Sequence, residues 1–239
     1  MLDVNIVYKH IKCINIFRGI DVLEGVNILE KIYFKIEPGE IVGVLDNNSK
    51  YKTVLLKCIM NLTEISFGEV LLDGLPIREE AYKNIAYISG NRSLQRNLSP
   101  LEYEKFYRNL HTGFNIERFN ELLNFLNIPK SKKVKSMSKK EQKELEIAIG
   151  LSKGAKYTLI NEPFLDLDIS ERKKLINLIL SKRKSDDTII IATNNVEDIE
   201  NIISRAIFLR NGRMAFDVTM KELKDKGESI YDIISKKVT

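Results

Sequence analysis

The sequence predicts an α/β fold with a largely parallel central sheet, an antiparallel β subdomain and a helical insertion. Apolar runs of strand length alternate with amphipathic helical patterns near both ends of the chain; the runs are 41–45, 157–160 and 188–192. Asn211-Gly212 lies between two further apolar runs and is typical of a hairpin turn. Two capping-box patterns, which begin at Ser99 and Ser138, predict helices in the middle of the chain.

Length and composition limit the classes of protein. The chain has 239 residues, of which 44% are hydrophobic and 30% charged, so we expect a soluble protein with a substantial core. No apolar run approaches the roughly 20 residues of a membrane helix, and the N-terminus lacks an apolar signal-peptide core. We therefore expect a cytoplasmic chain. With two cysteines and two scattered histidines, a disulfide framework, a histidine metal site and a catalytic triad are not expected.

The positive charge is concentrated in one segment. The formal net charge is +5, and the stretch 130–144, with seven lysines and two glutamates, accounts for all of it. A general nucleic-acid binder spreads its charge with arginine and aromatic residues, so no nucleic-acid partner is expected. The cluster is either a solvated loop or a contact with an acidic partner.

The first part of the chain reads mainly as strands. Residues 1–40 predict short strands, and the run 41–45 predicts a strand that is buried on both faces. A polar loop is expected at 46–53 and a helix at 54–62. Further short strands are expected at 69–72 and 85–89.

The rest of the chain is helical and then returns to α/β order. The helix predictions are about 100–110, 116–126, from 138 onward, 170–183, about 196–203 and the tail. The strand predictions are 157–160, 188–192 and a hairpin around Asn211-Gly212. We expect one domain over 1–239, with the helical subdomain at approximately 90–152.

The candidate site follows the buried strand 41–45. There a polar loop leads into Lys52-Thr53 at a predicted helix start, which is the setting of a P-loop: backbone N–H groups cradle phosphates, the lysine reaches the outer phosphates and the threonine binds Mg²⁺. This makes the predicted fold P-loop NTPase-like. Asp46, Ser49 and Tyr51 occupy the places where the pattern needs glycine.

Six segments, in order, resemble the ATP-binding subunit of an ATP-binding-cassette (ABC) transporter. They are 37–45 and 66–74 around the loop, 135–142 at the signature, 158–163 at the second nucleotide motif, 164–168 after it, and 189–195 at the switch. The resemblance covers nearly the whole chain. The segments from Tyr103 to Leu110 and from Phe114 to Leu123 further resemble the small bacterial drug- and peptide-exporter branch.

The resemblance implies ATP and Mg²⁺ as cofactors. The nucleotide-binding positions would be Asp46, Asn47, Asn48, Ser49, Lys50, Tyr51, Lys52, Thr53 and Val54. Lys52 would contact the β- and γ-phosphates, Thr53 would bind Mg²⁺, and Glu162 would polarise the attacking water. The signature and switch positions would be Ser138, Lys139, Lys140, Asp168, Asn194 and Gly90.

Several of these positions depart from the family pattern. Asn161 replaces the carboxylate of the Mg²⁺ shell and is at best a weak metal ligand. Gly90 stands where the family has glutamine, and Asn194 where it has histidine. Lys139 and Lys140 replace the two signature glycines. Because phosphoryl transfer depends on positioned charge, these changes predict weak binding and slow hydrolysis.

Two functions remain open on this basis. The first is an energising subunit, which couples ATP binding to transport through a separate membrane subunit as a homodimer or as a heterodimer with another ATP-binding subunit. The second is a catalytically inactive pseudo-ATPase that acts as the scaffold or regulatory half of a transporter. Either role places the chain in the cytoplasm, peripheral at the inner face of the cell membrane. A nucleic-acid-linked member of the same superfamily is disfavoured, because it would usually carry two cassettes or long coiled coils.

Overall fold

A computed structural model describes residues 1–17, 20–78, 82–89, 93–181, 183 and 185–238. For 10–17, 20–27, 181, 237 and 238 it describes the backbone alone. The predicted position Gly90 lies outside the described residues.

Ten strands are described along the chain. They are β1 Leu2–Phe17, β2 Ile20–Ile36, β3 Ile41–Leu45, β4 Phe67–Leu72, β5 Leu75–Pro76, β6 Ile85–Ile88, β7 Tyr157–Asn161, β8 Thr188–Thr193, β9 Arg205–Arg210 and β10 Arg213–Thr219. The predicted short strands at the N-terminus are instead two long ones of 16 and 17 residues, because they pair with each other from Leu2↔Ile36 to Phe17↔Ile20.

Seven α-helices are described. They are α1 Ser49–Ile59, α2 Pro100–Leu110, α3 Ile116–Phe125, α4 Lys139–Ser152, α5 Ile169–Ser181, α6 Met220–Lys226 and α7 Ile230–Val238. Both predicted capping boxes are present: the Ser99 side chain bonds the amide of Glu102, and Ser138 bonds that of Glu141. Within the described ranges, no helix combines the length and the apolar character needed to cross a membrane.

The chain divides into two compact units. Unit 1 contains Met1–Glu37, Val42–Arg78 and Thr193–Thr239. Its strands follow the order β5-β4-β1-β2-β10-β9-β3. The pairs β1–β2, β1–β4, β4–β5 and β9–β10 are antiparallel, whereas β3 and β9 are parallel. The fully buried β3 positions the start of α1, where the candidate phosphate loop was predicted.

Unit 2 contains Pro38–Ile41 and Glu79–Ala192. Its strands β6, β7 and β8 are parallel, and all residues of β7 and β8 are buried. The helices α2 to α5 belong to this unit. Parallel strands in both units, an antiparallel part in unit 1 and a helical segment in unit 2 confirm the predicted α/β fold class.

The predicted helix at 196–203 is wrong. The structure has a 3-10 helix at Val196–Asp198, followed by turns. Apolar side chains of the segment that follows are nevertheless buried: Ile199 is 0% exposed and Ile203 is 6% exposed. A Cβ on Gly43 of β3 would lie 2.7 Å from Ile199 Cδ1, so this segment packs directly against the strand backbone. Burial therefore follows the apolar pattern although the helix does not form.

An aromatic cluster in unit 2 gives a pH-dependent prediction. The Tyr107 ring stacks on His111 and Phe114, and the Lys153 ammonium lies 5.3 Å from its centre. Burial, and then the charge of Lys153, lower the pKa of His111 below its usual 6.5. The folded state thus binds fewer protons than the unfolded state, so the free energy of unfolding should fall as pH drops below that value. His111→Phe should remove this part of the pH dependence. Urea unfolding of both proteins at about pH 5 and about pH 8 measures it, and an unchanged dependence in the variant would contradict the assignment.

Candidate functional site

The predicted phosphate loop is mostly helical. A polar loop was expected over 46–53, but α1 begins at Ser49, so only 46–48 remain a loop. Asn48 is the N-cap, with extended backbone (φ −122°, ψ 110°), and its side-chain oxygen accepts a hydrogen bond from Lys50 N at 3.0 Å. Asparagine is a preferred N-cap because it satisfies an otherwise free helix amide. The prediction was wrong here because a local capping signal starts the helix earlier than the phosphate-loop pattern does.

No residue in this fully described segment adopts positive φ. Asp46, Ser49 and Tyr51 therefore keep ordinary right-handed or extended backbone at the places where glycine was expected. A phosphate cradle needs successive amides turned toward one point, which requires the conformations that glycine allows. Asn47, Asn48 and Lys50 are exposed, and Ser49, Thr53 and Val54 are half-buried.

The Lys52 side chain is held inside its own unit. Lys52 is 0% exposed, and its ammonium donates to the backbone oxygen of Asp46 at 3.1 Å and to Asn194 Oδ1. Asn194 Nδ2 in turn donates to Ser49 Oγ at 2.8 Å. The structure thus brings the predicted switch position Asn194 to the predicted phosphate-binding lysine, 142 residues away. Asn194 Oδ1 thus accepts a hydrogen bond from the lysine directly.

Asp46 adds a buried carboxylate beside this lysine. It is 4% exposed; Oδ1 accepts from Asn48 N at 3.0 Å, and the buried Oδ2 has no hydrogen-bond partner among the described residues. Burial raises the pKa of Asp46, while the amide of Asn48 and the charge of Lys52 oppose that shift. In its charged form this carboxylate would repel a phosphate at the same place.

Tyr51 packs over the β9–β10 turn. Its Cδ1 would lie 3.2 Å from a Cβ on Gly212, and that Cβ would stand 1.9 Å from Ile28 O. Gly212 also has φ +77°, so only glycine fits there, and the Tyr51 ring occupies the space beside it. The tyrosine at an expected glycine position is therefore a packed side chain.

In unit 2, Asn161 and Glu162 lie at the end of β7. Asn161 is 2% exposed, and its Nδ2 donates to Ser89 O at 3.4 Å. Glu162 has a left-handed backbone (φ 47°), and its amide donates to Ala192 O at 2.8 Å. Lys143 Nζ donates to the backbone oxygens of Glu162 and Leu165, the latter at 2.6 Å. The turn that carries Glu162 is thus held by α4.

The signature positions form the capped start of α4. Ser138 is the N-cap: its Oγ accepts from Glu141 N, and Glu141 Oε2 accepts from Ser138 N at 2.8 Å, so these two amides are already satisfied. Lys139 is exposed, and Lys140 forms an ion pair of 2.6 Å with Glu171 of α5. Asp168 Oδ1 accepts from Glu171 N at 2.9 Å and so caps α5.

Sequence reasoning missed Glu146, which is 8% exposed in α4. Its Oε1 accepts hydrogen bonds from Ser89 N at 3.0 Å, Ser89 Oγ at 2.8 Å and Ser93 Oγ at 2.7 Å. The available signal was a glutamate that stands directly between Leu145 and Ile147 in the helix predicted from 138 onward. A buried carboxylate needs such donors, so serines near the end of the strand predicted at 85–89 were the partners to seek.

Two of the predicted Mg²⁺–ATP positions, one in each unit, make contacts within the chain. The described residues contain no cluster of three histidine, cysteine or acidic side chains that could hold a metal ion. Asn161 donates its amide nitrogen instead of offering a carboxylate, and the Lys52 ammonium is already bonded within the chain. Hard divalent cations prefer carboxylate oxygens and phosphates, and an amide nitrogen that donates a hydrogen bond is not such a ligand.

Comparison with known proteins decides the family. A family model described as ABC transporter matches residues 29–165, more than half of the chain. The chain belongs to the ABC transporter family. Among relatives of this ABC transporter family member, the ABC transporter ATP-binding protein YtrB of Bacillus subtilis (strain 168) is 27% identical over 207 residues, covering 85% of this chain and 71% of that protein.

Solved structures confirm the ABC cassette fold. The structure of an ATP binding subunit of an ABC transporter has a TM-score of 0.82 at 20% identity, and covers 100% of this chain and 99% of its own. A dimeric ATP-binding cassette in a post-hydrolysis state, bound to ADP and Pi, has a TM-score of 0.78 at 20% identity, with coverages of 92% and 99%. The ABC transporter resemblance predicted from six segments is thus confirmed, while the roles of the individual residues stay predictions.

Proposed function

We propose that this chain is a non-hydrolysing ABC cassette subunit, which serves as the scaffold or regulatory half of a transporter. The whole chain acts as one cassette, pairs with a second cassette and contacts a separate membrane subunit. In this role it stays in the cytoplasm at the inner face of the membrane. Of the two predicted functions, the pseudo-ATPase is favoured over the energising subunit.

The buried Lys52 carries this proposal. Its ammonium has an amide oxygen and a backbone oxygen as partners, so ATP would have to displace Asn194 to reach it. A phosphate there would also meet the buried carboxylate of Asp46. Two like charges at about 4 Å repel by about 4 kcal/mol at an effective dielectric constant of about 20. The attraction between Lys52 and a phosphate at the same distance is of the same size, so the two terms cancel and the displacement of Asn194 remains as a cost.

The signature positions support the same proposal. In the resembled family the start of this helix binds the ATP of a partner cassette, but here Ser138 and Glu141 cap it reciprocally. Lys140 is bonded to Glu171 in the same chain. The dimer of the ADP-bound cassette relative supports pairing as a general feature of such folds, and identical and different partner cassettes are both compatible with these contacts.

The test is calorimetric titration of the purified chain with Mg-ATP up to millimolar concentration. We expect no binding heat in the wild type, because Lys52 and the loop are already satisfied internally. The matched variant keeps Lys52 and Thr53 and removes the carboxylate and the packed ring; its three changes are Asp46→Gly, Ser49→Gly and Tyr51→Gly. It should gain measurable heat. Binding by the wild type that disappears in Lys52→Ala would overturn the proposal and restore the energising subunit.

A further inference from the structure

A basic patch in unit 2 has no role in the proposed cassette function. It consists of four exposed cationic side chains, Arg96, Lys105, Lys133 and Lys135. Lys133 and Lys135 stand on either side of Val134, which is 1% exposed, so the buried valine leaves both lysines in solvent.

Backbone hydrogen bonds bring the members of the basic patch together. Lys135 N donates to Arg96 O at 2.8 Å, and Val134 N donates to Leu98 O at 2.9 Å, so the two segments lie side by side. Hydrogen bonds from Ser99 lower the pKa of Glu102, and the charges of Lys133 and Lys105 lower it further. Lys105 of α2 therefore lies within electrostatic reach of the same glutamate as Lys133.

Neighbouring lysines form ion pairs, whereas Lys105 and Lys133 of the basic patch share only the electrostatic influence of Glu102. Lys130 pairs with Glu104 at 3.4 Å, and Lys132 pairs with Glu141 at 2.7 Å. As far as the described residues extend, none of the four patch side chains forms an ion pair. The basic patch thus keeps an excess of positive charge, with four cationic side chains beside the one carboxylate of Glu102.

We propose that the basic patch binds an anionic membrane surface. Three of its four members are lysines, which present compact charges on flexible stems, and no hydrogen bond fixes their ends. This suits a diffuse layer of lipid phosphates better than the fixed, forked geometry of a carboxylate partner. Leu101 adds an apolar contact: it is 40% exposed, and its amide bonds Lys130 O at 3.1 Å. The inference goes beyond the proposed function, because it involves neither nucleotide nor a second cassette.

The experiment is co-sedimentation of the full chain with phosphatidylcholine vesicles, with and without phosphatidylglycerol. We expect binding only to the vesicles that contain phosphatidylglycerol, and release as salt is raised. Each lysine near an anionic surface strengthens binding by about fivefold, so Lys105→Gln, Lys133→Gln, Lys135→Gln together should weaken it on the order of a hundredfold.

The matched control carries the same three charge changes elsewhere. This control is a triple variant on the exposed side of α6, and it should bind the anionic vesicles as the wild type does; its changes are Lys221→Gln, Lys224→Gln and Lys226→Gln. Equal weakening in both triple variants would reduce the effect to net charge and overturn the proposal. Wild-type binding to a polyglutamate peptide with none to the anionic vesicles would also overturn it and assign the basic patch to an acidic protein. Because no arm contains ATP, the result is separate from the calorimetric test.

Discussion

Lys52→Ala should lower the free energy of unfolding by about 3 kcal/mol, because it removes one partner from a buried charged network. Asp46 would lose its nearest cation while remaining 4% exposed, and Asn194 Oδ1 would lose its donor. If the ammonium were instead exposed to solvent and bound only phosphate, its truncation would change the free energy of unfolding little. The size of the effect therefore distinguishes an internal structural role from a ligand-binding role.

Urea unfolding of the ligand-free protein measures this effect. Lys57→Ala is the matched control: Lys57 is exposed in the last turn of α1, so its truncation should change stability by no more than about 0.5 kcal/mol. If Lys52→Ala proves as stable as Lys57→Ala, the ammonium is not held as the structure shows. The non-hydrolysing role would then lose its main support.

Glu146→Ala should be comparably costly, by about 3 kcal/mol, because three donors of Ser89 and Ser93 would lose one buried acceptor. Glu146→Gln keeps an acceptor oxygen of the same reach and should cost less. Hydrogen exchange should rise at the Ser89 amide in Glu146→Ala, since that amide donates directly to the carboxylate.

Glu144→Ala provides the control for this prediction. Glu144 is on the same helix, and burial raises its pKa, so folding does not stabilise its charged form. Its truncation should therefore change the free energy of unfolding very little. The loss in unfolding midpoint and the rise in exchange at the Ser89 amide should be largest in Glu146→Ala, smaller in Glu146→Gln and smallest in Glu144→Ala. Equal exchange at Ser89 in Glu146→Ala and wild type would show that the serines are held by other contacts.

Most of the correct fold predictions came from sequence patterns of a few neighbouring residues. The capping boxes at Ser99 and Ser138 and the turn at Asn211-Gly212 form as expected, because each depends on residues within four positions. Buried runs such as β7 and β8 were also correct, since continuous apolarity reports burial on both faces.

The errors arose where a distant contact or a competing local signal decides the structure. The contact of Lys52 with Asn194 spans 142 positions, and no periodicity encodes it. The burial of Glu146 was not predicted, because its partners Ser89 and Ser93 lie 57 and 53 positions away. The start of α1 was misplaced because a phosphate-loop pattern was given more weight than the Asn48 cap.

The internally bonded Lys52 has a consequence for how a transporter containing this chain would sense metabolism. A cassette whose lysine waits for a phosphate changes shape with the ratio of ATP to ADP around it. In the proposed non-hydrolysing role, the ammonium would keep its bonds to Asp46 O and Asn194 Oδ1 whatever that ratio is. Paired with an intact cassette, such a subunit would leave the assembly with one phosphate loop that responds to cellular energy supply and one that does not. The two cassettes would then not alternate. The intact cassette alone would set the timing of the transport cycle, and this chain would supply a surface that stays the same throughout it.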